Sequence, residues 1–455
     1  MRQLISSGTI WEKLAGFSRA VRVGPFVSVS GTTATNDDGE MVGENDAYAQ
    51  TIFIIEKIER ALKEAGATLD DVTRTRIYLS NVDDWEAVSR AHAVFFSERR
   101  PANTLIAVGG LIGDGYLVEI EAEAIMKFSL RFNNDLPVRD YITLAQAAEA
   151  AGFDQFWVSN DLMLRSAFAI LPAIATATQR IEIGSCIFNP YTVNPAELAM
   201  FAVTMDELSN GRFNLGISAG ASEFLDWVGL EQTKPIAAMR ETIAALKALS
   251  AGETAAIDGR WMHWNEAAYL RFKPERPIPI YLGALSPQML GLLGEVADGG
   301  LPLLFPPEHY STVAPLIAKG AAKAGRSLDQ IDIAACVWCS IAEDRVAAEA
   351  VLRDKIAYYG SSLSPLIWEQ LGLVREDFDQ IDHALTVERD TEKARALVTD
   401  KMLRIGIVGS SRELIERMEG LVGAGVKHLS FGPPLGPDPL AAIEVLGREV
   451  LPHFR

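Results

Sequence analysis

A chain of 455 residues is too long for one ordinary hydrophobic core, and 49% hydrophobic with 22% charged residues is the composition of a globular protein that buries large cores. Acidic residues outnumber basic ones 60 to 42, a formal net charge of -18, which argues against nucleic acid and anionic membranes as partners because both reward basic patches. The N-terminus has no apolar run of signal length, and no stretch reaches the about 20 uncharged apolar residues of a membrane span, so a cytoplasmic protein is expected.

In chain order, Phe26–Ser30 reads as a strand bounded by Gly24-Pro25 and Gly31. Asp46–Ala65 reads as a helix with Ile52, Ile55, Ile58 and Leu62 along one apolar stripe. Val72–Leu79 is strand-like, and Trp85–Phe96 is a second helix, with Asp83-Asp84 expected as its cap. Thr104–Val108 and Tyr116–Ile125 complete a small α+β domain with two helices on one sheet face. At Ile125 this domain is complete, and Met126 opens a second domain without a linker, placing the boundary at 125/126.

From there strands and helices alternate. Strands read at Phe128–Phe132, Gln155–Ser159, Ile181–Ile187, Phe213–Ser218, Ile278–Leu285, Gly300–Leu304, Ile331–Ile341 and His428–Gly432. The helices between them include Ile142–Ala151, Ala196–Leu208, Pro287–Ala297 and Glu413–Gly423. The pattern predicts a parallel (β/α)8 barrel of the TIM type. Two insertions interrupt it: a hairpin at Thr254–Lys273 with an Asp258-Gly259 turn, and a helical, charged segment at Asp354–Met402 suited to cover the barrel mouth. Cys336 and Cys339 have C-x-x-C spacing but lie in an apolar strand, where residues three apart face opposite sides; they are read as core thiols, and no metal site is expected. His263 sits in the hairpin and is read as a surface residue, while Phe156 and Trp157 are read as core.

Chemistry in such barrels sits at the C-terminal strand ends. Strand two ends in Ser159-Asn160-Asp161, strand three runs through Cys186, Ile187 and Asn189, strand four through Gly216, Ser218 and Gly220, and strand five ends in Gly283-Ala284. Glycines at such ends let backbone approach a flat ring or a phosphate. Asp161 is suited either to carry a proton as acid or base or to cap the following helix. No G-x-G-x-x-G fingerprint follows a strand, and the spacing of Gly216-Ile-Ser-Ala-Gly220 is wrong for one, so no Rossmann dinucleotide unit is expected.

The segments Ser18–Gly24, Val27–Gly31, Asp46–Gln50, Arg100-Pro-Ala-Asn-Thr104 and Leu117–Ala122 resemble the Rid (YjgF/UK114) family, in order, across residues 1–125. The resemblance implies a trimer with clefts between subunits, hydrolysis of reactive enamines and imines, and an arginine two residues after the motif's proline that holds a substrate carboxylate. Here that position is Asn103, whose neutral amide offers no bidentate grip on a carboxylate. Arg100 is expected to point elsewhere. Glu119 matches the family's cleft glutamate and would position water. Three readings stand: a residual 2-iminoacid deaminase, an oligomerising or ligand-sensing module, and a cleft tuned to an uncharged imine.

Residues 126–455 resemble the luciferase-like flavin monooxygenase superfamily, nearest to its methylenetetrahydromethanopterin-reductase branch. The carriers are Asn189-Pro-Tyr-Thr192 with Pro195, Leu208-Ser-Asn-Gly-Arg212 with Leu215-Gly216, Gly294–Gly299 and Leu435–Pro439. The resemblance implies a reduced flavin, FMN or the deazaflavin coenzyme F-420, at the barrel mouth, and a non-prolyl cis peptide buttressing its ring at Cys186–Ile187. Ring contacts are then expected from Ser159, Cys186, Ile187, Asn189, Gly216, Ser218, Gly220, Gly283 and Ala284, and catalysis from Asp161, Asn160 and Glu119. Relatives carry Asp-His after strand two; Asn160-Asp161 stands here, without the imidazole. The leading expectation is a monooxygenase oxidising a small nitrogen-containing substrate, supplied by a separate flavin reductase, with the Rid-like domain shaping or processing an imine-type product. The alternative is F-420-dependent hydride transfer to a C=N or C=C bond. Trimeric Rid-like domains joined without a linker to pairing barrels imply a hexamer.

Overall fold

The computed structural model describes residues 2–454 apart from 24, 25, 66 and 305. The chain divides into two units, one running through Lys127 and including the segment from Leu451, the other spanning Phe128–Val450.

In the first unit, buried and exposed residues alternate along Phe26–Thr32, and Ile77 and Leu79 turn inward from Val72–Leu79. This is the period of a sheet with one covered face. Six strands pair in the order Arg2–Ile5, Ala20–Val23, Phe26–Thr32, Val118–Ile125, Val72–Leu79, Ala102–Ala107. All neighbours are antiparallel except the last pair, which is parallel. Helices Ala47–Glu64 and Trp85–Phe96 share one core with the covered face, including Ile54, Ile55, Ile58, Leu62, Val88 and Phe96 against Val27, Val29, Ile77 and Ile120. Asp46 caps the first helix, accepting from the Ala49 amide at 3.0 Å. The second helix corrects the expected cap. Asp84 makes no capping hydrogen bond; Asn81 instead accepts from the Asp83 amide at 3.1 Å and starts a 3₁₀ turn that leads into the helix. The expected Gly24-Pro25 turn lies outside the described residues. The strands Arg2–Ile5 and Ala20–Val23 were not expected, because they are short and carry charge; Arg22 is buried with its guanidinium on the Ala65 carbonyl at 2.7 Å.

In the second unit eight parallel strands close a barrel. They are β1 (Lys127–Phe132), β2 (Gln155–Val158), β3 (Glu182–Ser185), β4 (Phe213–Ile217), β5 (Ile280–Leu282), β6 (Gly299–Gly300), β7 (Asp332–Ile341) and β8 (His428–Leu435). The barrel closes because β7 pairs with β6 as well as β8, and β8 lies beside β1. The expected order and the helices between strands are present, with ends shifted by a few residues. Room inside comes from glycine. A Cβ on Gly184 would meet the Trp157 ring at 2.2 Å, and one on Gly299 the Tyr281 ring at 2.1 Å. Trp157, Tyr281, Leu301 and Ala334 form the interior cluster, so Trp157 is core as expected, and Phe156 is buried against Phe132. Polar side chains close the N-terminal end: Gln155 and Asn214 both donate to Glu182 at 2.8 Å, and Tyr281 and His428 both bond Asp332. Cys336 and Cys339 are buried in β7. Among the described residues no helix is long and apolar enough to cross a membrane.

Arg212, just ahead of β4, ties the outer layer together. Its guanidinium donates to the carbonyls of Ser209, Ile181, Ala175 and Thr178 and to the Thr178 hydroxyl, all within 3.0 Å. Lysine keeps the charge but lacks the planar fork. Arg212→Lys is therefore expected to cost about 2 kcal/mol or more, read as a lowered midpoint in denaturant unfolding with an unchanged slope.

The segment between β7 and the short strand Ile407–Gly409 is helical, as expected, but it begins at Arg345, earlier than Asp354. Helix Arg345–Tyr359 packs Leu352 and Ile356 into a separate core with Ile367, Phe378, Ile381 and Trp338 of β7. The hairpin pairs Ile257–Asp258 with His263–Trp264, its turn following Asp258. His263 is exposed and bonds Asp258 at 3.0 Å, a surface residue.

Candidate active site

The segments that follow β1, β2 and β3, and Trp338 of β7, meet helix Arg345–Tyr359, and the ends of β3, β4 and β5 meet one another at Ile187, Ser218 and Gly283. Asn134, buried after β1, clamps the loop after β2: its Oδ1 accepts from the Asp161 amide at 3.1 Å, and its Nδ2 donates to the Asp161 carbonyl at 3.0 Å and the Arg165 carbonyl at 2.6 Å. The Asp161 carboxylate is thereby left free of the backbone. Its Oδ2 accepts from the Tyr359 hydroxyl at 3.3 Å, and that hydroxyl also lies 3.5 Å from Asn133 Nδ2. Burial raises the Asp161 carboxyl above the usual carboxylate value; the charge of Lys355 and the Tyr359 hydrogen bond pull the other way. Lys355, one helical turn before Tyr359, is itself buried, with Nζ 4.0 Å from the centre of the Tyr359 ring and 5.2 Å from that of Trp338. Burial lowers its ammonium to about 8, against the opposing pull of Asp161 and Asp135.

Asp161 thus does not cap the following helix; Asn160 does that work. The Asn160 Oδ1 accepts from the Ala167 amide at 3.0 Å, in the first turn of Ala167–Ala177, which anchors this loop to the helix. Glu119 belongs to the other unit. There burial raises its carboxyl, opposed by Arg19, and a Cβ on Gly31 would sit 2.0 Å from its Oε1. Asn103 donates to the Thr75 hydroxyl at 2.9 Å, that hydroxyl lies 3.1 Å from His92 Nε2, and Arg100 turns back to the Ser97 carbonyl as expected.

The Cys186–Ile187 peptide is cis, at the expected bond. Cys186 lies 3.9 Å from Ser159 Oγ, and burial pushes its thiol up to about 12, which leaves it a neutral lining group. Ile187, Ser218 and Gly283 converge: a Cβ on Gly283 would stand 3.1 Å from Ser218 Cβ and 3.2 Å from Ile187 Cγ2. Ala284 is buried beside them in sequence. Two of the residues expected at the ring also have structural partners. Gly216 packs strands: a Cβ there would lie 1.9 Å from the Ser185 carbonyl oxygen and 2.8 Å from Leu301 Cδ1. Asn189 holds backbone, donating to the Ala219 carbonyl at 2.8 Å and accepting from the Tyr191 amide at 2.8 Å, while Gly220, at φ +74°, leaves room for its amide. Lys355 and Tyr359 escaped the sequence reading; the available signal was a lysine on the apolar stripe Ala348–Leu352–Ile356. Among the described residues no group of three or more His, Cys, Asp or Glu side chains is placed to hold a metal ion.

A parallel barrel that brings Asp161, after β2, together with Lys355 and Tyr359 of helix Arg345–Tyr359 is the frame of an enzyme, and the family match makes it an oxidoreductase of the luciferase-like class. The family model "Luciferase-like monooxygenase" matches residues 118–428, and the chain belongs to that family. The model "Endoribonuclease L-PSP", the Rid-type fold, matches residues 10–126. A 5,10-methylenetetrahydromethanopterin reductase of Archaeoglobus fulgidus is 33% identical over 334 residues, 72% of this chain and 100% of the relative. An F420-dependent glucose-6-phosphate dehydrogenase of Beutenbergia cavernae is 30% identical over 337 residues, 70% of this chain and 94% of the relative. The structure of the coenzyme F420 dependent tetrahydromethanopterin reductase of Methanopyrus kandleri superposes with a TM-score of 0.68 at 29% identity, covering 72% of this chain and 99% of that one.

Proposed function

We propose that this enzyme uses coenzyme F-420 to transfer a hydride to or from a small molecule, a C=N or C=C bond being the group reduced. The observation that carries the reading is Asp161 at the barrel mouth, a half-buried carboxyl held by Tyr359, with desolvation raising its proton affinity, beside a neutral cradle. The relatives named above support hydride transfer over the monooxygenase chemistry expected first. The cradle fits a planar ring: Ile187, Ser218, Gly283 and Ala284 are small or apolar, and a Cβ on Gly283 would crowd the space. A deazaflavin, if held there by these residues, would supply the hydride. Asp161, with Oδ2 accepting from Tyr359, would hold a proton at Oδ1 and give it to the atom that gains basicity as the substrate's double bond is reduced. Tyr359 orients that carboxyl, and the helical lid excludes water from it.

The test is the small molecule released on denaturing protein purified from a host that makes both cofactors. Release of the deazaflavin, by absorbance and fluorescence, is the expected result. Release of FMN, with oxygen uptake during turnover, would restore the monooxygenase reading, which the family's own name favours, and with it a separate reductase.

For the N-terminal unit the reading is an oligomerising or ligand-shaping module, supported by Asn103 being engaged with Thr75 in the sheet. A hexamer is expected, and light scattering that finds a monomer would remove it. Turnover by a chain beginning at Met126 that matches the full protein would support the module over an imine-processing role.

A further inference from the structure

The mouth holds more buried positive charge than the protein answers. Lys355 is 9% exposed, and no described residue accepts a hydrogen bond from its Nζ; the ammonium rests instead on the faces of Tyr359 and Trp338. Its three N–H donors thus have no acceptor from the described protein residues and are left to water or to a ligand entering the mouth. A second cation, Arg131 of β1, is 5% exposed in the barrel interior; its Nη2 donates to the Ala334 carbonyl at 2.8 Å, and its Nε has no partner. The groups that act electrostatically on Lys355 are Asp161 and Asp135 after β2 and β1, Cys186 after β3 and Cys336 of β7. Both thiols are held neutral by burial, Asp135 is exposed, and Asp161 is biased toward its neutral form.

We propose that Lys355 binds a carboxylate of the substrate, seating it between the lid helix and the end of β7. The proposal rests on the reading of this mouth as the substrate site. A carboxylate supplies the acceptors that the ammonium lacks, beside an Asp161 carboxyl that burial pushes toward its neutral form. The aromatic faces of Tyr359 and Trp338 hold the ammonium in place without satisfying its donors. The class of substrate that follows is a small organic acid whose reducible bond lies near its carboxylate. Because the Lys355 ammonium is lowered to about 8, carboxylate binding is expected to weaken as pH rises through that value.

Titration of the full-length protein with acetate at constant ionic strength, followed by tryptophan fluorescence, tests this directly; Trp338 lies beside the ammonium, and Trp338→Phe identifies its share of the signal. Acetamide is the uncharged match. The expected result is saturation by acetate and not by acetamide, weakened about 10-fold or more in Lys355→Met and largely kept in Lys355→Arg. Lys355→Met removes a buried charge, so it is expected to melt no lower than the parent; should it fail to fold, loss of acetate binding between pH 7 and 9.5 in the parent carries the same test, about 10-fold or more for a group titrating near 8. Equal acetate binding by parent and Lys355→Met, or no saturable response in the parent, overturns the proposal. So does a Lys355→Met protein that binds acetate normally and loses only cofactor, which would assign the cation to an anionic group of the cofactor. The titration is made with and without bound cofactor, so it still answers if the released molecule proves not to be F-420.

Discussion

Asp161→Asn is expected to lower turnover by about 10²- to 10⁴-fold, the range typical for loss of a positioned acid, while cofactor retention stays at the parent level. The amide preserves the shape and still accepts from Tyr359, so the loss is of the proton alone. Stability is expected to move the other way. Burial raises the folded carboxyl above its unfolded value, so the folded state holds its proton more tightly. Stability from this group is present below the unfolded value and is lost as pH rises through the raised folded one. Above the raised folded value the parent carries the cost of a desolvated carboxylate, and there Asp161→Asn is expected to melt at or above it. The basic limb of the parent's pH–rate profile, where Asp161 gives up its proton, should vanish in the variant. A variant with parental turnover and an unchanged limb would remove Asp161 from the chemistry. A loss of turnover accompanied by a lower melting temperature would recast it as a structural residue.

The architecture was legible because barrel strands announce themselves. β2, β3, β4 and β7 are runs such as Phe213–Ile217 and Asp332–Ile341, buried over nearly their whole length and bounded by turn residues. Assignment within the mouth was harder. Asn160 and Asp161 are adjacent, and either can cap a helix; which does so depends on the loop that carries the chain to Ala167, and that loop is fixed by the clamp of Asn134 from another strand. Lys355 and Tyr359 arrive from a helix whose nearest site partner in sequence, Trp338, is a strand away, and most of their contacts are with residues far earlier in the chain. What sequence could offer there was the oddity of lysine on a buried stripe. The strands Arg2–Ile5 and Ala20–Val23 were hidden for the opposite reason: they are too short and too charged to show a period.

Gly216 and Gly283 separate two uses of glycine that look identical in a sequence. Gly216→Ala is expected to destabilise the barrel by about 3 kcal/mol, because its Cβ would meet the Ser185 carbonyl oxygen at 1.9 Å and Leu301 at 2.8 Å. The first obstacle is backbone in the neighbouring strand, and Ser185 Oγ also bonds both the Gly216 amide and its carbonyl, so neither side can yield without breaking the pairing of β3 with β4. The effect should appear as a lowered unfolding midpoint, with cofactor affinity in the surviving folded fraction unchanged. Gly283→Ala is expected to do the reverse. Its Cβ would stand 3.1 Å from Ser218 and 3.2 Å from Ile187, tight but against side chains that give by a few tenths of an ångström. What gives is displaced toward the cradle, so the fold should melt near the parent while cofactor binding weakens about 10-fold, equal to about 1.4 kcal/mol. Equilibrium unfolding and a cofactor fluorescence titration on the two variants distinguish the roles. If Gly216→Ala kept its midpoint and lost cofactor, the ring would have to reach deeper into the barrel than Ile187 and Ser218 allow.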